Sequence, residues 1–325
     1  MALKSSSVSL LVDKIKLILA GLDFAGKTSF LNSLEEKYSA LINIKPTLGA
    51  DRREYKLSKF KIQTWDLGGQ KMYRDQYFGD KRLFFDDTDV LFFLFDVQDK
   101  DRDKEAFDYL RRILDVFEKN EETPHLTVCW HKSDVDLLDR PEFLQRIKSL
   151  EEKLEKITNG YRYKTFQTTI FEKWSVVKAF SEGVIRASPK KILIDTRLKD
   201  FAKRTFSSAC MLLDGSYLVL GSNTNNEQLL EIIEAVVAQT GSAFSKLDRY
   251  DIHASNMIIS LKPGEYYQEI MGKEMLVLYV PVQVKDVTFS LLSLTKNPNT
   301  LKLMLKHSPE LAEKISEILE HFYFE

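Results

Sequence analysis

The 325-residue chain is 44% hydrophobic and 29% charged with a net charge of -1, which fits a globular protein with room for about two ordinary domains. That near-neutral balance, without any long Lys/Arg block, excludes a global electrostatic pull toward nucleic acid or acidic lipid. The two cysteines, Cys129 and Cys210, stand far apart inside apolar runs, as expected of small buried thiols in a reducing compartment rather than a disulfide or metal site.

At the start of the chain, Asp13, Lys14 and Lys16 interrupt the apolar stretch, so neither a membrane span nor a secretory leader is expected. Position 2 is Ala2 and no cysteine box closes the sequence, so no lipid attachment is expected either. The expected location is the cytoplasm, with any membrane contact made through partners.

The alternating Ile15, Leu17 and Leu19 then run into Gly21-Leu22-Asp23-Phe24-Ala25-Gly26-Lys27-Thr28, which has the spacing of a phosphate-binding loop. Glycine is needed at both ends because a side chain there would block a ring of backbone N–H groups from closing on an anion. The backbone of Asp23, Phe24, Ala25, Gly26, Lys27, Thr28 and Ser29 is therefore the candidate cradle. Lys27 adds a point charge for the outer phosphates, and the Thr28 hydroxyl is a candidate Mg2+ ligand where the next helix begins. Phe30, Leu31, Leu34 and Tyr38 at helical spacing complete a strand, loop and helix.

Lys45-Pro46-Thr47-Leu48-Gly49-Ala50 reads as a loop before a charged strand over Arg52 to Leu57. Alone, Thr47 would be an ordinary solvated loop residue. Downstream of a phosphate loop, its hydroxyl can sense a terminal phosphate and a metal ion together. The strand through Phe60, Ile62 and Thr64 ends in Trp65-Asp66-Leu67-Gly68-Gly69-Gln70. There Asp66 can hold the Mg2+ shell, the Gly69 N–H can contact the terminal phosphate, and Gln70 can orient an attacking water. Lys27, Thr47 and Gln70 are the candidate catalytic residues.

Val90 to Val97 is nearly continuous apolar sequence, as expected for a parallel strand covered on both faces. A helix follows with Phe107, Leu110, Ile113, Leu114 and Phe117, then a strand from Leu126 to Trp130 that delivers His131-Lys132-Ser133-Asp134 at its carboxyl end. Open parallel sheets bind ligands at that end. Asp134 can accept hydrogen bonds from the N1–H and exocyclic amine of guanine, while adenine offers the wrong donors. The Lys132 stem can lie along the base, and His131 stands where an asparagine usually bridges base and phosphate loop. A helix from Pro141 with Phe143, Leu144, Ile147, Leu150, Leu154 and Ile157 on its buried face leads to a strand from Tyr163 to Gln167. The backbone amides of Thr169 and Ile170 beyond it can read the guanine carbonyl. A helix from Trp174 to Ile185 and the stiff joint Ala187-Ser188-Pro189-Lys190 close this half.

In order and spacing these motifs resemble the Ras superfamily of small GTPases. The loop at Gly21 and the Trp-Asp-Leu-Gly-Gly-Gln segment at Trp65 look like the Arf branch. His131-Lys132-Ser133-Asp134, Phe166 to Phe171 and the Trp174 helix are similar to the Rag family, which carries a second domain. The resemblance implies an α/β P-loop NTPase G domain over 1–187, a mostly parallel sheet with helices on both faces. A smaller α+β roadblock/longin-like domain over 188–325 is implied to pair with another copy of itself. It further implies a slow GTPase using GTP/GDP and Mg2+, with Thr28, Thr47 and Asp66 at the metal, and with activator and exchange proteins as partners. Two other readings are a nucleotide-binding dimeric scaffold with little or no hydrolysis, and a P-loop ATPase or kinase. Gln70 and Thr47 speak against the first, Asp134 against the second.

In the second half the pattern gives a helix over Ile192 to Phe206, a hairpin of Ala209 to Leu213 and Ser216 to Gly221 around Asp214-Gly215, and a capping box of Thr224 and Glu227 opening a helix. Strands at Met257 to Leu261, Met275 to Val282 and Val287 to Leu294 follow, with a turn at Lys262-Pro263-Gly264 and a last helix near Thr300 to Phe322. His253 and His321 stand alone and fit structural roles better than catalytic ones.

Overall fold

A computed structural model describes residues 15–34, 50–57, 60–67, 70, 72, 74, 75, 78, 84–158, 160–186, 191–215, 217–248, 250, 255–285 and 287–323 of the chain. Tyr38, Pro46, Thr47, Gly68, Gly69, the joint at 187–190 and His253 lie outside them, as do the side chains of residues 50–66 and of His321.

The first sheet has six strands among the described residues: β1 (Ile15–Ala20), β2 (Ala50–Leu57), β3 (Phe60–Leu67), β4 (Val90–Asp96), β5 (His125–His131) and β6 (Tyr163–Thr168). Their spatial order is β2-β3-β1-β4-β5-β6, parallel throughout except for the antiparallel pair β2 and β3. Parallel strands need crossover connections: α1 (Lys27–Leu34), α2 (Asp103–Lys119) and α3 (Pro141–Ile157) lie between successive strands, and α4 (Lys173–Arg186) follows β6. The unbroken apolar run of β4 follows from burial on both sides. Phe93 and Phe95 join Ile18, Val128 and Trp130 under α2 and α3. Phe92 and Leu94 join Leu17, Leu19 and Cys129 under α1 and α4. One departure from the periodic reading is Leu144, which is 53% exposed although it falls on the apolar stripe of α3.

The second sheet runs β8-β7-β11-β10-β9, antiparallel at every junction, from β7 (Ala209–Leu213), β8 (Val219–Thr224), β9 (Met257–Leu261), β10 (Met275–Val284) and β11 (Val287–Thr295). On one face α5 (Lys191–Thr205) and α8 (Leu301–Tyr323) cover Cys210, Leu212, Leu278, Phe289 and Leu291. On the other, α6 (Glu227–Asp248) covers Met211, Leu213, Val277, Leu292 and Leu294. This is the α+β layout expected of a roadblock-like unit, with three local differences. A short helix, α7 (Glu265–Met271), follows the Pro263-Gly264 turn, where only a turn between strands was expected. The β7–β8 connection is longer than a two-residue turn: the fully buried Asp214 accepts through Oδ1 from Leu218 N at 2.9 Å, β8 begins at Val219, and the pairing slips by one residue between Leu213–Val219 and Leu212–Gly221. The cap of α6 is Asn226, whose Oδ1 accepts from Gln228 N at 3.0 Å, while Thr224 Oγ1 accepts from Asn226 N at 3.0 Å.

The two sheets meet through α4. Ser181 Oγ accepts from Val219 N at 3.1 Å, Lys178 pairs with Glu234 at 2.7 Å, and Leu218 packs into the core beneath α1 and α4.

Candidate functional site

The site forms at the carboxyl ends of β1, β4, β5 and β6, where the loops of a parallel sheet converge. Gly21 follows β1 at φ 146°, and a Cβ built there would stand 2.4 Å from the Leu94 carbonyl oxygen. Gly26 sits at φ 87°, and its Cβ would stand 2.6 Å from His131 Cδ2. Both positions therefore exclude any other residue on space as well as backbone angle. Between them, Phe24 takes φ 63° and turns its ring to solvent, while Ala25 is buried. Lys27 is buried and folds back over the loop, donating to Gly21 O at 3.0 Å and Leu22 O at 2.8 Å. Thr28 and Ser29 occupy the first turn of α1.

His131 closes the loop from the other side. It is 2% exposed, lies edge-on to Phe30 and shares a 2.9 Å contact between Nδ1 and Thr168 Oγ1. Burial, with the Lys132 charge behind it, pushes its pKa from 6.5 down to about 4, partly opposed by Asp96 and Asp134. The ring is neutral at physiological pH, a bridge between phosphate loop and base loop rather than a charge.

The base loop is held from two sides. Asp134 Oδ1 accepts from Thr169 Oγ1 at 2.6 Å and Oδ2 accepts from Gln98 Nε2 at 3.1 Å. Gln98 also donates to Lys132 O at 2.8 Å, which steadies Lys132 at φ 63°. Lys132 Nζ pairs with Asp96 Oδ2 at 2.6 Å. Each carboxylate oxygen of Asp134 keeps a further lone pair for a ligand. The Thr169 N–H donates to Ser175 Oγ at 3.0 Å, so this residue meets Asp134 through its hydroxyl, with Ile170 following in the same turn.

Leu19 of β1 is in register with Asp66 of β3, which sets the Asp66 backbone beside the strand that leads into the phosphate loop. The Asp66 side chain, Thr47 and Gly69 lie outside the described residues. Gln70 is half-buried, and its carbonyl accepts from Arg74 N at 3.0 Å. A chain of ions then returns to the loop. The Arg74 guanidinium lies 5.1 Å over the Tyr109 ring and pairs with Glu105 Oε1, Glu105 Oε2 accepts from Arg102 Nε at 2.8 Å, and Arg102 Nη2 donates to Asp23 Oδ1 at 2.6 Å. Hydrogen bonds from Arg102 and then Arg74 hold the Glu105 carboxyl down at about 2.

The glycine cradle with a buried lysine over it fits an anionic phosphate, and the hard oxygen donors at Thr28 and Asp66 suit Mg2+ by type. Asp96, Gln98 and Arg102 were not among the sequence candidates. The only signal for them is position, directly after an apolar strand whose carboxyl end faces the site.

A family model described as the Gtr1/RagA G protein conserved region matches residues 16–251. Ras-related GTP-binding protein B of Rattus norvegicus and of Mus musculus are each 25% identical over 197 residues, 59% of this chain. The match spans about half, 52%, of the length of those curated relatives. Among solved structures, the Arl6 BBS3 small GTPase from Trypanosoma brucei with a bound nucleotide analogue, GppNp, is similar at 18% identity and a TM-score of 0.45, over 54% of this chain and 98% of that one.

Proposed function

Because the chain belongs to the Gtr1/RagA G protein family, we propose that it is a switch driven by GTP binding and slow hydrolysis, with the G domain over 1–187 and a dimerising domain over 188–325. The observation that carries this reading is the meeting of the glycine cradle and the Asp134 loop across the His131 ring, within reach of one bound nucleotide.

In this mechanism the N–H groups of Asp23 to Ser29 and the Lys27 ammonium bind the phosphates. Lys27 exchanges its two loop carbonyls for phosphate oxygens, so its position is set before ligand arrives. Asp134 accepts from the N1–H and exocyclic amine of guanine, its plane fixed by Thr169 and Gln98, while the Lys132 stem covers the base and the Thr169–Ile170 turn faces the guanine carbonyl. Thr28, Thr47 and Asp66 would hold Mg2+, which neutralises charge on the phosphate oxygens. Gln70 orients the attacking water, and Thr47 with the Gly69 N–H senses whether the terminal phosphate is present, so two loops change between states. Intrinsic turnover of such sites is on the order of 10⁻⁴ s⁻¹, which makes activator and exchange proteins the expected partners.

The second domain would pair with another copy of its kind, in a homo- or heterodimer, along β9. That strand is an edge of its sheet among the described residues and shows Ile258 at 48% exposure. No helix among the described residues is long and apolar enough to cross a membrane; the location proposed is the cytoplasm, with recruitment to surfaces by partners. Single-turnover hydrolysis of preloaded GTP tests the switch. Gln70→Leu is expected to slow it at least about tenfold with GTP binding retained; an unchanged rate removes Gln70 from the mechanism, and GTP intact in the wild type for many hours favours the scaffold.

A further inference from the structure

The phosphate loop carries a carboxylate of its own at Asp23, inside the segment whose backbone N–H groups form the anion cradle. Left alone, that charge would repel the ligand the loop is shaped to hold. Among the described residues its cationic partner is Arg102, at the end of the 3-10 turn (Lys100–Arg102) between β4 and α2. Arg102 Nη2 donates to Asp23 Oδ1 at 2.6 Å and Nη1 lies 3.5 Å from Asp23 O, so both the side chain and the backbone of Asp23 are engaged. The guanidinium is itself aimed by Glu105, through Nε to Oε2 at 2.8 Å. With side-chain exposures of 29% and 23%, the Arg102–Asp23 pair is shielded from full solvent screening.

We propose that Arg102 is a positioning residue for nucleotide retention: it neutralises the Asp23 carboxylate and turns it away from the cradle, so that the loop meets phosphate with its amides alone. This inference rests on the guanine-nucleotide reading of the site. Its specific content is that Arg102 acts on the ligand through Asp23. A lysine at 102 keeps the charge but loses the fork that reaches Glu105 and Asp23 together. The same fork ties the loop to the Gln70 segment through Glu105 and Arg74, so the residue that quiets Asp23 also anchors the path toward the hydrolytic glutamine.

The test is a double-mutant cycle on the full chain, read as the release rate of a fluorescent GDP with Mg2+ present. R102A is expected to release about tenfold faster than wild type, because an unpaired carboxylate then faces the phosphates. R102A in the D23N background is expected to release within about twofold of D23N alone, whatever the rate of D23N itself. An R102A rate equal to wild type overturns the proposal. So does an R102A acceleration that is just as large in the D23N background, since Arg102 would then act by packing. Should R102A not fold, R102K replaces it, with a smaller acceleration that D23N must again abolish. Failure of the wild type to retain GDP overturns both the nucleotide reading and this inference; retention without a cycle effect overturns the inference alone.

Discussion

At the carboxyl end of the first sheet, polar side chains meet partners from distant parts of the chain. Asp134 bonds Gln98 and Thr169, 36 and 35 positions away, His131 meets Thr168 at 37, and Asp23 meets Arg102 at 79. In the second sheet several polar contacts at strand ends are local, beside longer ones such as Val219 N to Ser181 Oγ. Asp214 holds Leu218 four positions on, Thr224 holds Asn226 two on, and Thr295 shares a 2.7 Å contact with Thr300, five on. Local bonds of the second kind end strands and start helices, which every fold requires. Long-range convergence of the first kind orders several loops at once without adding to the apolar core. It is what a ligand site needs, and it supports the proposal that nucleotide binds at the first sheet.

The largest effect that can break this contrast is on base choice. Asp134→Asn should weaken guanine nucleotide binding at least about a hundredfold and raise affinity for xanthine nucleotides, because the amide donates where the carboxylate only accepts. Equal GTP affinity in the variant, measured by competition, would detach Asp134 from the base. Next comes pH. Above 6.5 His131 is neutral folded or unfolded; as pH falls toward about 4 the unfolded chain takes up a proton that the buried ring refuses, so stability is lost over that window. The full loss attributable to this ring is about 3 kcal/mol by order of magnitude. Denaturant melts at pH 7 and pH 4.5 should therefore converge in His131→Asn relative to wild type, and an identical pH slope in both would place the acid sensitivity elsewhere. The smallest effect sharpens the contrast at the seam between the sheets. Glu234→Gln removes the partly exposed pair with Lys178 and should cost less than about 1 kcal/mol in thermal stability with nucleotide affinity unchanged; a shifted affinity would couple the second sheet to the site.

Much of the first sheet was legible because its signals are local. The glycine spacing of Gly21 and Gly26, the unbroken Val90 to Phe95 run and the place of Asp134 just past a strand announce in turn a loop, a buried strand and a strand end within a few residues. Asp96, Gln98 and Arg102 were missed because their partners lie 36 to 79 positions away and nothing in Asp96 to Arg102 marks a motif. In the second sheet, α7 was hidden by its own start: Pro263-Gly264 announces a turn and equally well precedes a helix at Glu265. Asn226 won the cap over Thr224 by standing one position before Glu227, the first residue of α6. Leu144 shows the limit of periodicity, since it falls on the apolar stripe of α3 but at the edge the sheet does not cover.

The central claim is that the strand ends joined by His131 select and hold a guanine nucleotide. Calorimetric titration of the nucleotide-stripped full chain with GDP and with ADP, magnesium present, tests it most directly. GDP binding at least about a hundredfold tighter than ADP is predicted; equal affinities, or no heat with GDP, would contradict it.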